Sequence, residues 1–244
     1  ALSSVSAKDK KKTEDEGYVF TTVKELKITP VKNQNRTGTC WCFSTLGFLE
    51  SELLRMGKGE YDLSEMFIVS KNYKDKAEKF VRLHGELNYA QGGSFEDVLQ
   101  AWKDYGIVPE SVMNGLQYGE DMHVHNELES ASRAYLDEII KNPNRKLSTA
   151  WKKGFDGIID AYLGTAPEKF TYNGKEYTPK SFAAELGINP DDYVSLTSYT
   201  HHPFYSEFAI EVQDNWRWAT SYNLPIDELM LVFENAINTG YTIA

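Results

Sequence analysis

Cysteine is scarce in this chain, which limits the kinds of site that the sequence can form. The only two cysteines among 244 residues, Cys40 and Cys42, are one residue apart. Neighbours that close rarely reach disulfide geometry, and two cysteines without a second pair of ligands do not form a zinc site. The sequence therefore predicts neither a disulfide framework nor a metal site, and no motif calls for a cofactor.

Long apolar runs and a surplus of basic residues are also absent. No segment approaches the ~20 apolar residues that a membrane-spanning helix needs. Acidic residues outnumber basic ones by 36 to 26, for a formal net charge of −10. Because binding to phosphates requires clustered Lys and Arg, this balance disfavours nucleic acid and anionic membranes as partners. A chain of this length can still bury a sizeable core.

The first 17 residues are polar and charged, and their composition predicts a disordered tail. Within them, Val5-Ser6-Ala7 resembles the small-residue end of a secretory signal, with cleavage after Ala7. That resemblance favours an exported, for example periplasmic, protein. A chain boundary within a flexible tail explains the same residues equally well and fits a cytoplasmic protein.

Apolar periodicity predicts a helix that begins at Cys40 and ends before Gly57. Ser64 and Ser94 are the expected N-caps of two more helices. The second of these runs to Gly106 with four side chains facing inward, namely Phe95, Val98, Leu99 and Trp102.

Further elements are predicted on both sides of these helices. Residues 19–31 read as extended segments, and residues 126–141 and 147–162 as amphipathic helices. Residues 170–177 form an expected β-hairpin around Asn173-Gly174. Thr178 then caps a short helix, Pro225 opens a last helix that Gly240 ends, and residues 241–244 resemble the start of a strand.

The segment from Gln34 to Cys40 carries the clearest chemical signal. A glycine-bearing loop through Gly38 separates the glutamine from a cysteine at a helix start. Cysteine attacks carbonyls as the thiolate, and the free N–H groups of a helix N-terminus favour an anion. The Gln34 amide and the Cys40 backbone N–H could then stabilise an oxyanion. The common alternative is a buried, inert cysteine, and Cys42, within the apolar stripe, fits that description.

The residues Asn33 to Ser44 resemble the active-site segment of papain-like cysteine peptidases, most closely the bleomycin hydrolase/aminopeptidase C branch. That branch shows Asn-Gln, three residues, Gly, one residue and Cys-Trp. Later segments are also similar to it. They are residues 62–65 (Asp-Leu-Ser-Glu), 92–95 (Gly-Gly-Ser-Phe), 105–110 (Tyr-Gly-Ile-Val-Pro-Glu), 202–205 (His-Pro-Phe-Tyr) and 224–226 (Leu-Pro-Ile).

This resemblance implies an α+β, papain-like fold over residues 18–244. The chain would hold the helical (left) half of that fold with a large helical insertion at about 115–200, and most of the β-rich half would be missing. Cys40 would be the nucleophile and Gln34 the oxyanion donor. Gly92, Gly93 and Trp41 would bind the peptide substrate. The branch also implies an assembly of identical subunits, a hexamer.

A cysteine peptidase also needs a histidine base and an Asn or Asp that orients it. In the papain pattern the catalytic His and Asn follow the cysteine by ~130–150 residues. Of the five histidines, only His201 and His202 lie at a comparable distance after Cys40, and the residues around them do not resemble those around the family's catalytic histidine. No Asn-Ser-Trp-Gly follows. The resemblance therefore implies that the catalytic His and Asn lie outside this chain, in a remaining segment of the same enzyme.

Several functions stay open at this point. The resemblance favours an aminopeptidase that releases N-terminal residues through an acyl-enzyme. A cysteine endopeptidase has the same nucleophile. A non-catalytic relative that serves in binding or assembly would explain the missing histidine, and a transglutaminase-like or deubiquitinating enzyme fits the later segments less well.

Overall fold

Seven α-helices and five short β-strands form residues 18–244, the part of the chain that the computed structural model describes. The predictions for the tail and for Val5-Ser6-Ala7 lie outside it. Within it, no helix has the length and apolar character needed to cross a bilayer. The helices are α1 (Cys40–Arg55), α2 (Glu65–Arg82), α3 (Phe95–Tyr105), α4 (Asn126–Ile140), α5 (Ala150–Leu163), α6 (Pro179–Leu186) and α7 (Ile226–Thr239). The strands are β1 (Phe170–Tyr172), β2 (Lys175–Tyr177), β3 (Leu196–Thr197), β4 (Glu207–Ala209) and β5 (Thr220–Asn223).

Local capping signals set the ends of the first three helices. The Ser64 hydroxyl accepts a hydrogen bond from the Phe67 backbone N–H at 3.0 Å. At the start of α3, Ser94 and Asp97 form a reciprocal capping box. After α1 the chain turns at Gly57 with a φ of 71°, which glycine adopts without steric cost. The predicted ends of these helices are confirmed.

The core lies between α1, α2 and α3. Leu46, Leu49 and Leu53 recur along α1 and are fully buried against the other two helices. Burying a leucine side chain contributes about 1.5–3 kcal/mol. This stripe therefore holds the N-terminal end of α1, with Cys40, in a fixed place.

One inward residue of α3 is predicted wrongly. Val98, Leu99 and Trp102 are buried as expected, but 46% of the Phe95 surface is exposed. Phe95 is the first residue of α3, where no core helix covers it, and its ring lines a surface cavity.

Helices α4 and α5 pack against each other and against α2. Their buried side chains include Leu128, Leu136, Phe155 and Ile159. The hairpin β1–β2 follows, with Asn173 and Gly174 both at positive φ (49° and 77°), as an Asn-Gly turn requires. Thr178 then caps α6 as predicted. The helical insertion predicted at about 115–200 covers these elements, and its limits stay a prediction.

The second sheet has the strand order β3-β5-β4, with β3 parallel and β4 antiparallel to β5. From its edge, the loop of residues 210–219 reaches α2 and α3. Trp216 and Arg217 of this loop bind the Asp97 carboxylate at 3.0 and 2.7 Å. The loop thereby lies beside the Gly92-Gly93 turn.

The two ends of the described chain are poorly covered. No residue of α7 is buried, although its ends at Pro225 and Gly240 are as predicted. Residues 19–31 contain no strand, and Val19, Phe20 and Val23 are exposed. The strand expected at residues 241–244 is not formed either.

Candidate active site

Cys40 is the first residue of α1 and is exposed. The preceding Thr39 is buried, and its carbonyl accepts hydrogen bonds from the N–H groups of Cys42 and Phe43 at 2.9 and 3.2 Å. These bonds begin the helix directly beneath the thiol. The Cys40 sulfur therefore stands at the positive end of a 16-residue helix, a position that favours an anion.

Cys42 lies on the opposite face of the same helix. Its side chain is fully buried, and the Sγ atom points to the Glu65 carbonyl at 3.5 Å. Burial raises the pKa of the Cys42 thiol well above its ordinary value, and the nearby Glu65 carboxyl acts in the same direction. Cys42 is thus a core residue that stays protonated.

Gln34 lies on the loop before α1, and this loop is closed by two bonds between the same residues. The Gln34 Nε2 donates to the Thr37 carbonyl at 2.7 Å, and the Thr37 hydroxyl donates to the Gln34 carbonyl at 3.0 Å. An amide nitrogen carries two hydrogens, so one N–H of Gln34 remains for another acceptor. Gln34 and Cys40 line the same cavity, of about 390 Å³.

Two other segments hold this loop from its sides. The Arg36 N–H donates to the His123 carbonyl at 3.1 Å, and the His125 N–H donates to the Arg36 carbonyl at 3.2 Å. On the other side, the Gly38 N–H donates to Gln91 Oε1 at 2.7 Å. Sequence reasoning missed Gln91, although it directly precedes the glycine pair that was singled out.

Gly92, Gly93 and Trp41 meet at one side of Cys40. The Trp41 indole N–H donates to the Gln91 carbonyl at 3.0 Å. A Cβ atom on Gly93 would lie 2.8 Å from the Trp41 ring, and one on Gly92 would overlap the Asp214 carboxylate. Only glycine therefore fits at either position without a shift of its neighbours. The Gly92 carbonyl accepts a hydrogen bond from the buried Lys76 ammonium.

Cys40 lies between two cavities. The first cavity is the one that it shares with Gln34. The second cavity, of about 800 Å³, extends on the other side of Cys40 along Trp41 and Gly93 to Asp214. Its walls come from α1, α3, the second sheet with the 210–219 loop, α7 and residues 242–244.

An ionic cluster borders the first cavity. Lys32 Nζ lies 3.2 Å from Glu50, 2.7 Å from Asp62 and 2.8 Å from Glu65. Burial lowers the pKa of Lys32, but the charges of Glu65 and Glu50 together with hydrogen bonds to Asp62 and Glu65 outweigh that effect, so the net shift of the Lys32 pKa is upward. Burial raises the pKa of Glu65 to about 8 against the opposing charge of Lys32. The Lys32 ammonium is thus the common partner of three carboxyl groups at the first cavity.

No histidine within residues 18–244 lines either cavity. The His123 ring lies 6.1 Å, between ring centroids, from Phe43 on the first turn of α1. His125 is fully buried, and burial together with His123 lowers its pKa to about 4. His201 and His202 belong to the turn after β3. Among residues 18–244, no three His, Cys, Asp or Glu side chains are arranged so that they could hold a metal ion.

A family model supplies the decisive comparison for this arrangement. The model of papain family cysteine proteases matches residues 19–164, which include Gln34, Cys40, Gly92 and Gly93. The chain belongs to the papain family of cysteine proteases. The predicted family and the α+β, papain-like fold class are thereby confirmed.

The curated relatives are longer than this chain. Aminopeptidase E of Lactobacillus helveticus is 24% identical, over 81% of this chain and 53% of its own length. Aminopeptidase C of Streptococcus thermophilus is 23% identical, over 83% of this chain and 55% of its own. Cysteine proteinase 1, mitochondrial, of Saccharomyces cerevisiae is 28% identical, over 76% and 47%. The papain family chain described here thus spans about half the length of these relatives.

A solved structure shows the same fold. PepW from Lactobacillus rhamnosis HN001 superposes with a TM-score of 0.69 at 22% identity, over 91% of this chain and 59% of PepW. Because 91% of the chain is covered, the papain-like fold extends beyond residues 19–164, which the family model matches.

Proposed function

We propose that this chain provides the nucleophile of a cysteine aminopeptidase. The observation that carries the proposal is the exposed Cys40 at the start of α1, between two cavities and beside Gln34. The Cys40 thiolate attacks the carbonyl carbon of the first peptide bond and forms a C–S bond; the C–N bond then breaks, and the amine leaves with the proton that the general base took from the thiol. Water then hydrolyses the thioester, releases the amino acid and restores the thiol.

In this proposal, two N–H groups stabilise the oxyanion of the tetrahedral intermediate. One is the second N–H of Gln34, whose amide the Thr37 carbonyl orients. The other is the backbone N–H of Cys40, since the first N–H groups of a helix have no intrahelical acceptor. A donor of this kind contributes about 2.7–4 kcal/mol to transition-state stabilisation.

Gly93 and Trp41 serve the peptide substrate in the second cavity. Both line this cavity together with Cys40, and the absence of a Cβ on Gly93 lets its backbone pack against the Trp41 ring at the cavity wall. Gly92 helps to hold this surface in place, because its carbonyl accepts a hydrogen bond from the Lys76 ammonium.

The general base and its orienting Asn are proposed to come from a part of the enzyme outside residues 18–244. The support is that no described histidine lines the cavities at Cys40. Peptides as substrates, and assembly of copies into a hexamer, are proposed from the family alone. Light scattering of the purified enzyme tests the assembly.

Alkylation by iodoacetamide at pH 6 tests the nucleophile. Peptide mass mapping follows Cys40 and Cys42 separately, with the Cys40→Ala variant as the control. We expect Cys40 to react faster than a cysteine in an unstructured peptide, and Cys42 to react at least about 100-fold more slowly, since it is reached only by opening of the fold. A Cys40 rate no higher than that of the free peptide would favour a non-catalytic relative.

A pair of substrates distinguishes the two peptidase classes. An aminoacyl amide with a free amine and its N-acetylated counterpart are compared on the full enzyme. Faster hydrolysis of the free amine indicates an aminopeptidase, and cleavage of N-blocked peptides alone indicates an endopeptidase.

A further inference from the structure

The charged side chains that line the second cavity are both acidic. Glu96 stands near the start of α3, and Asp214 on the 210–219 loop. Among the described residues no lysine, arginine or histidine lines this cavity. The first cavity differs, because its carboxylates share the Lys32 ammonium. An acidic cavity without a cation of its own attracts a positively charged ligand.

Asp214 lines this cavity next to Gly92. Its carboxylate lies so close to Gly92 that a Cβ on that glycine would overlap it. The side chain is exposed, and within residues 18–244 it makes no hydrogen bond and no ion pair. Burial lowers the pKa of Lys76 to about 8, and the charges of Asp97 and Asp214 oppose that shift, so the buried Lys76 ammonium is a neighbouring charge of Asp214. Lys76 does not line the cavity, and the Asp214 carboxylate therefore ends the cavity beyond Gly93 without a direct hydrogen-bond or ion-pair partner.

The loop that carries Asp214 is held firmly from within. The Asn215 amide donates to the carbonyls of Ile210 and Ala219 at 3.0 and 2.9 Å and accepts from the Ala219 N–H at 3.0 Å. The backbone of such a loop is positioned before any ligand arrives, so little entropy is lost in ordering the loop on binding.

Hydrogen bonds also attach the same loop to the helical core. The Trp216 indole donates to Asp97 at 3.0 Å, and Arg217 donates to Asp97 and Asp75, both at 2.7 Å. Lys79 donates to the Trp216 carbonyl at 2.6 Å. Because these contacts join α2, α3 and the loop, the distance between Asp214 and Cys40 is set by packed elements.

We propose that Asp214 is a specificity-determining residue that binds a cationic group at the amino-terminal end of the substrate. The proposal rests on the proposed function, in which the acyl part of the substrate lies in the second cavity. The cation is either the α-ammonium group or a basic side chain, since both present N–H donors to a carboxylate. Glu96 adds a second negative charge to the same cavity.

Active-site-directed alkylation tests this proposal without requiring turnover. Chloromethyl ketones of a neutral amino acid are prepared with a free amine and with an N-acetyl group. A second pair is N-acetylated and carries arginine or its neutral isostere citrulline. The rate constant for modification of Cys40 is measured for each probe at low and high salt.

Asp214→Asn removes the charge and keeps the shape of the side chain, and Glu211→Gln makes the same change on the same loop outside the cavity lining. In the unsubstituted chain we expect the cationic member of at least one pair to react about fivefold faster, the size of a solvent-exposed charge pair. The preference falls at high salt. It disappears in Asp214→Asn and persists in Glu211→Gln.

The pair that shows the preference identifies its source. Loss of the free-amine preference in Asp214→Asn assigns the α-ammonium, and loss of the arginine preference assigns a basic side chain. A preference that survives in Asp214→Asn, or none in any protein, overturns the proposal. Iodoacetamide distinguishes failure of the Asp214 proposal from failure of the proposed function. If Cys40 is also inert to iodoacetamide, the proposed function fails, and the role of Asp214 fails with it.

Discussion

The cleft side and the core side of α1 give the same kind of residue two opposite environments. Cys40 and Cys42 are two positions apart, which rotates them by about 200° around the helix. Cys40 is exposed between two cavities, whereas Cys42 is buried with Leu46 and Leu49. The difference teaches that the reactivity of a cysteine in this helix follows from its face and not from the local sequence.

The largest expected difference between the two sides concerns packing. Leu49→Ala should lower the free energy of unfolding by about 2–5 kcal/mol, because it leaves a cavity in the core. Ser44→Ala on the cleft side should change it by less than about 0.5 kcal/mol. Urea unfolding followed by circular dichroism measures both. Equal losses would mean that the cleft side of α1 is packed as well.

Serine in place of each cysteine compares the two sides directly. Cys42→Ser buries a more polar hydroxyl on the core side, where Sγ lies 3.5 Å from the Glu65 carbonyl, and should cost about 1–3 kcal/mol. Cys40→Ser, at an exposed position, should be nearly neutral for stability while it abolishes alkylation at residue 40. The same urea titration under reducing conditions checks this. A neutral Cys42→Ser would show that the core side tolerates polarity there.

The raised pKa of Cys42 predicts a loss of stability in alkali. The folded thiol keeps its proton above the ordinary value of 9.0, whereas the unfolded thiol loses it there. Stability from this group is therefore complete well below pH 9 and falls as the pH rises above it, by about 1 kcal/mol per pH unit. The cost of Cys42→Ala should accordingly shrink between pH 8 and pH 10. Leu46→Ala, which removes no titratable group, should cost the same at both.

The smallest expected effect is that of a substitution at Gly47, which lies at the border between the two sides of α1. It lies inside α1, and a Cβ there would meet nothing within 4 Å. Gly47→Ala should therefore raise the free energy of unfolding by about 0.5–1 kcal/mol through helix propensity. A decrease would show that the first cavity is narrower at this point than its 390 Å³ indicate.

Sequence patterns predicted α1, α2 and α3 with their caps, because Ser64, Ser94 and Gly57 act on backbone groups within a few residues. They were less informative where burial depends on distant neighbours. Phe95 fits the inward stripe of α3 by period, yet no element covers it. No residue of α7 is buried either, although Leu229, Phe233 and Ala236 are half-buried.

The residues of the candidate site also fall into two groups, those that a local sequence motif indicates and those that only tertiary contacts reveal. Gln34 and Cys40 are six residues apart, so one motif indicates both, and Gly92-Gly93 is recognisable as a pair. Gln91, Lys76 and Asp214 carry no local signal. Their roles depend on contacts with the Cys40 loop and the glycine turn, which no periodicity or spacing encodes.

Short-range physical chemistry thus made the helix starts, the hairpin turn and the cysteine nucleophile motif readable from the residues alone. The acidic second cavity was not readable, because it joins positions that folding alone brings together. Trp216 and Asp97, which lock the loop of Asp214 to α3, are 119 residues apart in the chain. Hydrogen bonds and packing over such separations form only when the helices have assembled, and they decide which charges face Cys40.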